Sequence, residues 1–204
     1  MLTYEVVVTE IERERQLLAT LAAERAGEIV AASAAIADAL SAGHTVYFTG
    51  NGGSASQALH LSAELVGRFR SERRPLPAMA LCENTATLTA IANDYGYDEV
   101  FSRQVEAFCR SGDVLVLLST SGSSANVLEA AKKAAVLKVL TIGLTGFGGG
   151  DLARLVDILI DVPSTDVAHV QEVHLLVGHL LCSVGDDIVE RTPALSARRD
   201  DVCS

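Results

Sequence analysis

Apolar residues recur every three or four positions from about Tyr4 to Leu40, in a stretch made mostly of Ala, Glu, Leu, Ile and Arg. That period matches the α-helical turn and the residues are good helix formers, so the segment predicts one long helix or two consecutive ones. Beyond Gly43 the pattern changes to short β-rich runs, TVYFT, PAMAL, DVLVLLS, VLTIGLT and VDILIDV, separated by helical stretches. Apolar runs that do not alternate with polar positions belong to parallel strands covered on both faces. Helices are expected from Ser54 to Val66, Thr85 to Asn93, Glu99 to Cys109, Ser124 to Ala135, Asp151 to Leu155 and Asp166 to Val189. The sum is an α/β fold: a three-layer α/β/α sandwich on a five-stranded parallel sheet, with an N-terminal helical extension. Ligands in such a fold bind beyond the carboxyl ends of the strands.

Composition narrows the function classes. At 204 residues and 49% apolar content the chain can bury a substantial core, so a single domain over residues 1–204 is expected, with a frayed polar tail at 193–204. The net charge of −10, with no basic block beyond Arg68, Arg70, Arg73 and Arg74, disfavours a nucleic-acid groove or an anionic membrane surface. An anionic substrate must then be held by local N–H and hydroxyl donors. Cys82, Cys109, Cys182 and Cys203 are widely spaced and form no CxxC pair, and the acidic, amphipathic N-terminus is unlike a signal peptide, so a cytoplasmic protein with reduced thiols is expected. No apolar run is long enough and unbroken enough to span a bilayer.

Two loops carry the candidate chemistry. The first, Asn51-Gly52-Gly53-Ser54, follows strand VYFTG and opens a helix on which His60 and Glu64 stand one turn apart. Residues four apart share a helix face, so both can look toward whatever the loop holds. Taken alone, the pair also reads as a half-buried histidine beside a solvated glutamate. The second loop, Ser119-Thr120-Ser121-Gly122-Ser123-Ser124, links an apolar strand to a helix, and its hydroxyls can converge with free helix N–H groups on a phosphate. Ser123 or Ser124 can equally serve as a simple helix cap. The loop lacks the lysine of a P-loop, and the first loop lacks the glycine spacing of a dinucleotide fingerprint. Two such loops on separate strands favour a sugar-phosphate pocket.

Further along, the run from Val170 to Cys182 is mostly apolar but interrupted by the polar groups of Gln171, Glu172, His174 and His179. Buried polar groups need a partner or a purpose, and His179, flanked by Leu and Val, is the most informative of them. His174 reads as an interface or surface residue, and His44 and His169 have no supporting pattern. Asn93-Asp94 precedes Gly96 at a helix end, a position that suits either capping or substrate contact.

The ordered motifs GNGGSASQALHLSAELVGRF, LTAIANDYGYDEVFSRQV, GDVLVLLSTSGSSANVLEAA, LTGFGGG and VQEVHLLVGHLLC resemble those of the sugar isomerase (SIS) domain superfamily, and within it the phosphoheptose isomerases, over roughly residues 5–190. The resemblance implies a flavodoxin-like SIS fold and an aldose–ketose isomerase. It would convert D-sedoheptulose 7-phosphate to D-glycero-D-manno-heptose 7-phosphate through an enediol. It implies a substrate site lined by Asn51, Gly52, Gly53, Ser54, Asn93, Asp94, Ser119, Thr120, Ser121, Ser124 and Gln171, with Glu64 and His179 as base and acid in either order. It also implies one Zn2+ per subunit on His60, Glu64, Gln171 and His179, and a homotetramer in which residues 1–42 form an oligomerisation element. Gln171 and His179 are eight residues apart, about 12 Å along an ideal helix, so both reach one metal only with extended side chains or a bent helix. Some relatives of similar sequence are instead binding proteins for the bacterial replication initiator, and Glu64 and His179 in their motif positions favour the enzyme.

Overall fold

A computed structural model of the chain describes residues 1–185. Five parallel strands, β1 (Val46–Gly50), β2 (Ala78–Ala80), β3 (Val114–Ser119), β4 (Leu140–Thr145) and β5 (Ile158–Asp161), lie in the order β2-β1-β3-β4-β5. Six helices accompany them: α1 (Tyr4–Ser41), α2 (Gly53–Val66), α3 (Thr85–Tyr95), α4 (Ser102–Phe108), α5 (Ala125–Leu137) and α6 (Val167–Cys182).

The pleat sends alternate residues of β3 into two separate cores. Val114, Val116 and Leu118 pack with residues of α1, α2 and α6, including Ile36, Leu61 and Val177. Leu115 and Leu117 pack on the other face with residues of α4 and α5, including Val105 and Ala130. A strand buried on both faces has no polar side to show, which is why these runs read as continuously apolar.

The N-terminal segment is one helix of 38 residues rather than two. The expected Glu99 to Cys109 helix is instead a 3₁₀ turn at Tyr97–Glu99 followed by α4. There, the Ser102 hydroxyl donates to the Glu99 carbonyl oxygen at 3.1 Å, a local bond that competes with regular helix. PAMAL forms a strand only over Ala78–Ala80, at the sheet edge where one neighbour is missing. The tail expected to fray at 193–204 and the last residues of the Asp166 to Val189 helix lie outside the described residues. Among the described residues no helix is long and apolar enough to cross a membrane.

The strand order sets the site. The chain leaves β1 through α2 toward β2 on one side, whereas β3 pairs with β1 on the other, so a crevice opens between the carboxyl ends of β1 and β3. Asn51 follows β1 and Thr120 follows β3, which brings both candidate loops to that crevice.

Candidate active site

The first loop turns sharply at Gly52, whose φ of 54° is a conformation suited to glycine. The Asn51 carbonyl oxygen accepts from the Ser54 backbone N–H at 3.0 Å and starts α2, while the Ser54 side chain is buried beneath the turn. Gly53 is open, and a Cβ there would meet the Gln171 side-chain amide at 2.5 to 2.9 Å. Gln171 therefore reaches from α6 to the mouth of the first loop. Gln57 reinforces this by donating its Nε2–H to the Gln171 carbonyl oxygen at 2.6 Å.

In the second loop Ser119 is buried and its Oγ lies 3.2 Å from Ser124 Oγ. Ser124 occupies the N-cap position of α5, yet its side chain makes no capping hydrogen bond. The hydroxyl turns back into the loop, so the capping role is not the one it takes. The loop is braced from behind: the Gly146 N–H donates to the Thr120 carbonyl oxygen at 3.0 Å and the Leu152 N–H to that of Gly122 at 2.9 Å. Gly122 and Gly150 both have positive φ, and a Cβ on Gly122 would collide with the Gly149 carbonyl oxygen. The glycine-rich stretch after β4 is thus a backbone buttress for the serine loop, and Gly148 is held in turn by donating to Asp161, which Arg25 of α1 grips at 2.6 Å.

Two residues that the sequence reading passed over join the loops. Asn126 Nδ2 donates to Asn51 Oδ1 at 2.9 Å and Asn51 Nδ2 donates to Asn126 Oδ1 at 2.8 Å, while the Tyr97 hydroxyl donates to Asn51 Oδ1 at 3.0 Å. The available signal was an asparagine in the first turn of a helix, a poor helix former placed two residues after Ser124. Asn93 and Asp94 are exposed and bond each other at 2.8 Å, leaving Gly96, with φ 97°, to end α3.

A second group lies where α2 and α6 meet. Gly178 permits the approach, since a Cβ there would press on Leu61 at 2.5 Å. His60 Nε2 then sits 2.8 Å from His179 Nε2 and 3.5 Å from Glu64 Oε1. Phe69 stacks on the His179 ring, with centroids 5.4 Å apart. Burial, followed by the neighbouring His60, pulls the His179 pKa below its ordinary value, so the ring is neutral near pH 7. Two imidazole nitrogens in contact, with a carboxylate oxygen beside one of them, are donor types that suit zinc. On a tetrahedral zinc two imidazole nitrogens sit about 3.3 Å apart, so the pair needs only a small opening. Glu64 and Gln171 need larger movement. The imidazole and carboxylate ligand atoms found mutually within 4.8 Å among the described residues belong to a different set, Glu14, His169 and Glu172.

That set concerns a histidine for which the sequence held no pattern. His169 Nδ1 lies 2.8 Å from Glu14 and Nε2 3.3 Å from Glu10, clasping α6 to α1. His174 corrects the sequence reading outright: it is 1% exposed, not a surface residue, and its Nε2 donates to the Thr145 carbonyl oxygen at 3.1 Å. Burial pushes its pKa down to about 4. His174 points into the core, and the carbonyl that its Nε2 meets belongs to a distant strand, while Nδ1 is buried without a partner among the described residues.

Comparison with known proteins decides the lineage. Residues 11–146 match the SIS domain family. A phosphoheptose isomerase of Rhodospirillum rubrum is 56% identical over 159 residues, covering 78% of this chain and 85% of that protein. This chain belongs to the phosphoheptose isomerase family of SIS-domain proteins. The solved phosphoheptose isomerase of Francisella tularensis superposes with a TM-score of 0.87 at 36% identity, covering 92% of this chain and 100% of that one. That of Neisseria gonorrhoeae gives 0.84 at 39% identity, covering 90% and 98%. The fold of the phosphoheptose isomerases is therefore shared from the long first helix to α6.

Proposed function

We propose that the protein is a phosphoheptose isomerase that interconverts D-sedoheptulose 7-phosphate and D-glycero-D-manno-heptose 7-phosphate. The observation that carries this reading is the pairing of His60 with both His179 and Glu64 on the helix that opens at the hydroxyl-lined β1/β3 crevice, in a chain 56% identical to a named phosphoheptose isomerase. The Ser119–Ser124 loop holds the phosphate through its hydroxyls and the first N–H groups of α5. Asn51, Gly52, Gly53, Asn93, Asp94 and Gln171 line the rest of the substrate site. Ser54, being buried, contributes by shaping the turn.

In the ketose-to-aldose direction Glu64 takes a proton from C1, the C–H electrons form the C1=C2 double bond, and the C2 carbonyl oxygen becomes a hydroxyl by accepting a proton from His179. The resulting cis-enediol collapses when the O1 proton leaves to His179 and C2 regains the proton held by Glu64. A neutral imidazole suits this exchange, because after giving its proton to O2 it is ready to take the one from O1. A carboxylate has two oxygens, so the one that faces His60 leaves the other for the proton. His60, Glu64, Gln171 and His179 would hold one zinc ion. When bound it supplies Lewis-acid polarisation of the substrate carbonyl.

The assembly is inferred to be a cytoplasmic homotetramer with α1 as its joining element. Tyr4, Val6, Val7, Val8 and Ile11 on α1 are exposed, as are Leu59, Leu176 and Leu180 on the helices that carry the histidines, and apolar surface of this extent supports burial by other copies. The reading is tested by assaying purified protein on sedoheptulose 7-phosphate with metal analysis of the same sample. Conversion to the aldose by wild type, lost in Glu64→Gln with the assembly intact, is expected; zinc-loaded wild type that leaves the ketose unchanged would sink it. A replication-initiator adaptor has no support among the relatives above.

A further inference from the structure

Asn126 has no part in the reaction just described, yet it occupies a costly position. It is the second residue of α5 and 3% exposed. Asparagine is a poor helix former, and a buried carboxamide is unfavourable unless its donor and acceptor are both matched. Here both are matched by one partner across the crevice, Asn51, at 2.9 and 2.8 Å. Two antiparallel hydrogen bonds between planar amides resist both sliding and rotation, so the turn after β1 is tied to the helix that follows the serine loop.

The pair also fixes which way Asn51 faces. With the Asn126 amide and the Tyr97 hydroxyl both donating to Asn51 Oδ1, the acceptor capacity of that oxygen is filled. The side chain keeps one free N–H and no free acceptor. Without Asn126 the Asn51 amide can turn over and set its carbonyl oxygen toward an anion, which repels it. We propose that Asn126 is a positioning residue for the anionic substrate: it locks Asn51 as a donor and sets the spacing between the two loops at the β1/β3 crevice. This rests on the sugar-phosphate reading of that crevice, and a positioning role of this kind acts on binding of the phosphorylated substrate rather than on proton transfer.

The test titrates inorganic phosphate by calorimetry and follows isomerase kinetics for Asn126→Ala, Asn126→Asp and Tyr97→Phe. Asn126→Ala is expected to weaken phosphate binding and raise KM together by roughly tenfold, with kcat within about twofold. Asn126→Asp keeps the shape and one acceptor but loses the donor and adds a charge, so it binds phosphate more weakly still; it decides the matter if the alanine variant does not fold. Tyr97→Phe, at an exposed position, is expected to cost about two- to threefold. Combining Asn51→Ala with Asn126→Ala should be no worse than the worse single change. Folded Asn126 variants that bind phosphate within twofold of wild type, or that lose kcat with KM unchanged, overturn the proposal, as does wild type that binds no phosphate. Wild type that binds phosphate but does not isomerise sedoheptulose 7-phosphate removes the enzymatic reading alone, and the phosphate titrations still decide this one.

Discussion

His60 Nε2 and His179 Nε2 stand 2.8 Å apart although 119 residues separate them in the chain, and Glu64 Oε1 lies 3.5 Å from the same His60 nitrogen. Two imidazoles this close cannot both point a proton at each other, so one donates and one accepts, or a shared cation replaces the proton. Converting either histidine to alanine is expected to lower bound zinc per subunit severalfold, and Glu64→Gln to lower kcat by roughly a thousandfold while the thermal transition moves little. Elemental analysis and steady-state kinetics on the same preparations check both.

Gly53 offers a sharper probe of the sugar end. Its Cβ would press on the tip of the Gln171 side chain, which is flexible, so Gly53→Ala should be mild for stability but should displace Gln171 from the loop. A fall in kcat/KM of about tenfold or more, with Tm shifted by only a few degrees, is expected. A variant with unchanged kinetics would remove Gln171 from the substrate site.

The opposite balance is expected at Gly122. Its φ of 63° and the Gly149 carbonyl oxygen beside it leave no room for a side chain, and the obstruction is backbone. Gly122→Ala should destabilise the fold by about 2 to 4 kcal/mol and abolish phosphate binding with it. Chemical denaturation alongside a phosphate titration measures the two losses.

His174 links stability to pH. Its pKa is about 4 in the folded chain and about 6.5 when exposed, so the unfolded chain binds the proton more tightly and protonation favours unfolding. The contribution is constant above about pH 6.5 and erodes as pH falls from there to about 4, by about 3 kcal/mol in all. His174→Gln keeps an N–H for the Thr145 carbonyl oxygen but does not titrate. Its unfolding free energy should therefore fall less steeply than that of wild type between pH 6.5 and 5, as read from urea denaturation at each pH.

What the chain reveals unaided is whatever depends on neighbours in sequence. The periods of apolar residues identify strands covered on both faces and the long first helix. His60 and Glu64 on one helix face, and the serine loop between strand and helix, are likewise local patterns. The order of the strands was not local, and it is the order that brings the loops after β1 and β3 to one crevice. The Asn51–Asn126 pair, the Tyr97 hydroxyl and the burial of His174 against Thr145 each join residues tens of positions apart. A hydrogen bond between such residues leaves no periodic trace, because its partners are set by the sheet and by how closely α2 and α6 approach at Gly178. The sequence by itself therefore pointed to the chemistry, and only the tertiary structure decided which groups face one another.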